Sequence, residues 1–186
     1  MPAIQDSPPN PAGEARPHTP RVYLVIAAVG VAIIAVGSFA LGRSLDADDE
    51  LTARQQEVSE RGAAVMPFDL EATTHIFAPT DDGGVQTVVA DDPSDQEQIA
   101  LVRSHLREEV AAFSSGDFGD PAAIHGHEMP GLSVLEARSD RLTITYEDKP
   151  DGGEVTYRSS DPVVVQALHD WFAAQLMDHG DDAESG

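Results

Sequence analysis

The chain has 186 residues, with 33 acidic side chains against 11 basic ones and a formal charge of −22. Such a charge repels nucleic-acid phosphates and anionic lipid surfaces, which argues against nucleic-acid binding and against polybasic membrane docking. The absence of cysteine rules out a disulfide framework, a thiolate zinc site, an iron–sulfur cluster and a cysteine nucleophile.

Residues 1–20 hold six of the 13 prolines and almost no large apolar side chain, the composition of a disordered tail. Val22 to Gly42 then runs without a charge, bracketed by Arg21 and Arg43. As a helix this run is about 31 Å long, enough for the hydrocarbon core of a bilayer. It is longer than the apolar core of a signal peptide, so residues 21–43 are expected to form an uncleaved transmembrane anchor. The bilayer would then be a partner through residues 22–42, with the N-terminal tail inside and the C-terminal domain extracytoplasmic. Residues 44–66 are polar, and Leu51, Val58 and Val65 stand seven apart, which suits a short helical stalk.

From residue 67 to 180 the pattern becomes that of a domain, and it repeats. Phe77 precedes Gly83-Gly84 as Tyr146 precedes Gly152-Gly153; Thr87 and Thr156, then Asp92-Pro93 and Asp161-Pro162, follow at matching distances. Alternating residues before each Gly-Gly predict a strand, the glycines a turn of positive φ, and the residues after them a second strand. Each Asp-Pro would cap a helix. Ile99, Val102, Leu106, Val110 and Phe113 form one amphipathic stripe, and Val165, Leu168, Phe172 and Leu176 another. The expected fold is α+β: a duplicated ββα–ββα unit, with two helices on one face of a four-stranded, mainly antiparallel sheet. The halves, 67–115 and 136–180, are joined by a loop over 116–135, and 181–186 reads as an acidic tail.

The joining loop carries His125, His127 and Met129 among several glycines that permit tight turns. Imidazole suits copper, zinc and nickel, and thioether selects soft Cu(I), so this loop is a candidate metal site. His75 on the first strand, His105 and His169 on the flanks of the helical stripes, and His179 at the end of the second helix are further candidate ligands. Each also has a plain structural reading, as a half-buried histidine bonded to backbone or one favouring a helix C-terminus. Met129 before Pro130 could equally plug the loop into the core.

Several stretches together resemble a known family: T-H-x-F in a strand, G-G-V-Q at a turn, R-x-H-L in a helix, H-G-x-x-M-P-G-L in the loop, and a closing A-L-H-x-W-F-x-A-Q-x-x-D-H-G. They span Thr74 to Gly180 and are similar to small bacterial proteins commonly labelled aspartate carbamoyltransferase. Carried over position by position, the resemblance marks His75, His105, His125, Met129, His169 and His179, and leaves His127 unspecified. The carbamoyltransferase activity does not fit the residues. There is no Ser-Thr-Arg-Thr-Arg phosphate loop, no second substrate domain and no cysteine for the zinc site of the regulatory chain.

The function expected from these features is a membrane-anchored, extracytoplasmic His/Met domain that binds metal, copper first and zinc as the alternative, without catalysis. Two other readings stay open. One is a metal-assisted hydrolase with Glu128 or Asp120 as general base. The other is a metal-free module whose partner is a protein of the cell envelope.

Overall fold

The computed structural model describes residues 49–186; the proline-rich tail and the apolar run expected to form an anchor lie outside them. Among the described residues, no helix is long and apolar enough to cross a membrane.

Two hairpins build the sheet: β1 (Thr73–Thr80) with β2 (Gly83–Ala90), and β3 (Thr143–Lys149) with β4 (Gly152–Arg158). The period of two decides which side chains face the core. On β1, Thr73, His75 and Phe77 are buried, whereas Thr74, Ile76 and Ala78 are half-buried. The strand order is β3-β4-β2-β1-β5, in which β5 (Ala183–Ser185) lies parallel to β1. The sheet is therefore five-stranded and mixed, not four-stranded. Three residues are too few to show an alternating pattern, so the segment read as an acidic tail gave no sign of a strand. It is held by backbone pairing to the open edge of β1, from His75 opposite Ala183 to Phe77 opposite Ser185.

The repeat extends into the hydrogen-bond register. Thr80 pairs with Gly83 in the first hairpin and Lys149 with Gly152 in the second, the same register at an offset of 69 residues. At the centre β2 and β4 run antiparallel, with Gln86 opposite Val155, Gly83 opposite Arg158 and Val89 opposite Gly152. Each of these pairs maps onto itself or onto another under that offset, so the central pairing has the register of a two-fold relation about Gln86 and Val155. The glycines do not make the turns, which fall instead on Asp81-Asp82 and Pro150-Asp151. Gly83 and Gly152 sit in the strands because a Cβ at Gly83 would overlap the Tyr157 carbonyl, and one at Gly152 the Val88 carbonyl. At these glycines the backbones of the two hairpins approach closely.

Helices α2 (Gln96–Ser114) and α5 (Pro162–His179) cover one face of the sheet. Asp161 caps α5 with Pro162 in its first turn, as expected. The first Asp-Pro does not cap α2. Asp92 closes a local turn with Ser94, and Asp95 takes over as N-cap, accepting from the Glu97 and Gln98 amides. Phe77, Tyr157, Phe113, Trp171 and Phe172 pack between sheet and helices, with Phe77 and Phe172 ring centroids 5.1 Å apart. Fully burying an apolar side chain of this size contributes about 1.5–3 kcal/mol, and these layers hold the site walls in place.

The joining segment contains two short helices, α3 (Gly119–His125) and α4 (Leu132–Ala137). Gly131, at φ 79°, lets the start of α4 touch α5; a Cβ there would overlap the Ala167 carbonyl. Residues 49–65 are helical and form α1. Val58 of α1 is buried, and Arg54 and Arg61 donate to the His125 and Ile124 carbonyls at the end of α3. The segment expected as a stalk thus packs on the domain.

Candidate metal centre

The inner face of α2 is apolar at Ile99, Val102, Leu106 and Phe113, but the same stripe also buries His105 and Glu109. Their spacing of four residues sets them one turn apart on one side of the helix. Asp120, in the first turn of α3, comes up beside them, and the donor atoms of His105, Glu109 and Asp120 all lie within 4.8 Å of one another. His105 and Glu109 are buried while Asp120 is exposed, so the group spans from the interior to a surface cleft. Burial pushes the Glu109 carboxyl up to about 8, and the charge and hydrogen bond of Asp120 add to the shift. A buried carboxyl beside a second one favours its protonated form unless a cation offsets the charge.

Behind this group lies a chamber of about 30 Å³ between the sheet, α2, α3 and α5. Four imidazoles line it: His75 from β1, His105 from α2, His125 from the end of α3 and His179 from the end of α5. The His75 and His179 rings are nearly parallel at 5.2 Å between centroids, and His125 meets His179 edge-on at 5.0 Å. Burial, reinforced by the neighbouring imidazoles, lowers His75 to about 3. Burial and His125 lower His179 to about 4 against the opposing pull of Asp178, and burial also lowers His105. These three rings are therefore neutral at pH 7, the form that ligates metal.

His125 is oriented from outside the chamber. Its Nδ1 lies 2.8 Å from Asp178 Oδ2, and Arg54 grips the same carboxylate through Nε and Nη2 at 3.1 and 2.7 Å. Burial alone would raise the Asp178 pKa, but the hydrogen bonds from His125 and Arg54 outweigh it and hold the group at about 2. The paired Asp178 carboxylate fixes the orientation of the His125 ring through Nδ1. Among the described residues, two buried polar atoms find no protein partner, Trp171 Nε1 and Gln175 Oε1, and both residues line the chamber. Gln86, also in its wall, accepts from the Tyr157 hydroxyl at 2.8 Å.

Of the histidines singled out in the sequence, His75, His105, His125 and His179 meet at this chamber. His169 does not; its Nε2 lies 3.0 Å from the Thr80 carbonyl and 2.8 Å from that of Gly83, so it pins α5 to the first hairpin turn. His127 and Glu128 are exposed on the connection between α3 and α4. Met129 is buried in the core and lines a separate cleft with His125, Arg54 and Ala174. Glu109, Gln175 and Trp171 were not singled out in advance. Glu109 had a legible signal, a carboxyl four residues after His105 inside an apolar stripe. Trp171 and Gln175 stand in the same relation on α5. Compared with models of protein families, with curated proteins and with solved structures, the chain matches none.

Proposed function

We propose that the domain binds one divalent transition-metal ion at His105, Glu109 and Asp120. The observation that carries this reading is the convergence of their donor atoms within 4.8 Å across the interior end of a surface cleft. The raised Glu109 carboxyl supports it, since a divalent ion offsets the burial and the repulsion that otherwise keep a proton there. Imidazole with carboxylate suits Cu(II) and Zn(II), whereas soft Cu(I) prefers a thioether. Met129, the thioether proposed for it, packs at a different cleft from the three converging donors. A chamber of about 30 Å³ has no room for a peptide or an ester, so a hydrolase would have to take its substrate from the cleft beside Asp120. In the proposed setting the domain sits outside the cytoplasmic membrane, tethered through residues 22–42; the support for that is the uncharged run in the sequence.

The test is metal retention by the untagged full chain after dialysis against zinc or copper, with His105→Ala, Glu109→Gln and Asp120→Asn alongside. The wild type should retain one equivalent, and each variant should bind at least about tenfold more weakly. His127→Ala should bind as the wild type does. A wild type that retains no stoichiometric metal would overturn the proposal and favour the metal-free interaction module.

A further inference from the structure

We infer that the bound ion keeps one exchangeable coordination position on its chamber side, where Trp171 and Gln175 hold a water molecule and Trp171 alone can hold a small inorganic anion in its place. This rests on the metal reading above. His105 and Glu109 belong to both the wall of the chamber and the wall of the cleft that holds Asp120, so an ion on them borders the chamber. Three protein ligands leave a position open even for zinc, whose sites are four-coordinate.

The chamber suits a small ligand in size and in chemistry. Its volume of about 30 Å³ exceeds the roughly 10–15 Å³ that one water needs, and a buried water also requires two to four polar partners. The two unpartnered atoms are of opposite kinds, a donor at Trp171 Nε1 and an acceptor at Gln175 Oε1. Trp171 is 1% exposed and Gln175 6%, so neither can reach bulk solvent, and buried polar groups are rarely left unbonded. A water can accept from Trp171, donate to Gln175 and still offer a lone pair to the ion. Phe68, Phe77 and Phe113 add apolar walls, and the small volume excludes larger ligands. An anion in the water's place would keep the bond from Trp171 and face the lone pairs of Gln175.

The test uses the full chain loaded with one equivalent of Cu(II) and titrated with sodium azide, read by azide-to-copper charge-transfer absorption. The wild type should give a saturable band. Trp171→Phe should weaken azide by about tenfold, the value of a hydrogen bond to a charged group. Gln175→Leu should leave azide binding unchanged or tighter, because it removes only the opposing lone pairs. Absence of the band in loaded wild type would overturn the inference, as would equal weakening by both variants. Copper content measured before azide is added separates these results from failure of the metal site itself. A measurement on the wild type alone does not depend on how the variants fold. Nuclear double resonance in H₂O and D₂O should show exchangeable protons coupled to the copper, and their absence would count against the bound water.

Discussion

In the metal-free domain the Glu109 carboxyl keeps its proton up to about pH 8, where the unfolded chain would lose it near 4.5. A group whose folded pKa is raised stabilises fully below the unfolded value, and that stability is lost as pH rises through the folded one. The buried histidines have the opposite sign. His75 and His179 stay neutral to about 3 and about 4, so their contribution is complete above the ordinary value of 6.5 and falls away as the unfolded chain takes up protons below it. Each unmatched proton changes stability by about 1.4 kcal/mol per pH unit. Urea denaturation with chelator present should therefore show greatest stability at about pH 6.5, a steep acid limb and a shallow alkaline one. Glu109→Gln preserves the neutral shape; it should flatten the alkaline limb and steepen the acid limb between about pH 4.5 and 6.5. Met129→Leu belongs to a different test. It conserves volume in the core, so it should cost under about 1.5 kcal/mol and leave metal affinity unchanged, as isothermal titration would show.

Among the elements, the start of α2 shows what local sequence could and could not decide. Two Asp-Pro pairs at one offset implied two equivalent caps, and the second is one. In the first half Ser94 and Asp95 offer a competing cap three residues further on, and Asp95 bonds the orphan amides of α2. Asp95→Ala should cost about 1 kcal/mol in chemical denaturation, whereas Asp92→Ala should cost distinctly less. Hairpins and long helices were legible because their apolar periods run for several repeats. The site was legible only in part, because His75, His105, His125 and His179 stand far apart in sequence and share no spacing rule. They meet because β1, α2, α3 and α5 each turn one inward position toward the same chamber, a fact of packing. The role of α1 was illegible for a related reason. Its apolar stripe is thin, with Val58 buried but Leu51 exposed, and it is secured as well by Arg54 and Arg61 on partners more than sixty residues away.

For the molecule as a whole, the two hairpins share a register, yet the sheet they build is lopsided. The second hairpin ends the sheet with β3, a seven-residue edge that carries Glu147, Asp148 and Lys149. The first would end it with the eight residues of β1, but β5 lies along the middle of that strand and covers it from His75 to Phe77. Short or charged edges resist pairing with other chains. Truncation after Asp182 should bare the hydrogen-bonding groups of β1 and promote concentration-dependent association, measurable by light scattering and analytical ultracentrifugation. A molecule with one receptive edge can only pair off and stop, whereas one with two can add copies at both ends without limit. With β3 guarded by its charges, loss of β5 opens one edge only, so the last strand separates a single particle from a closed pair.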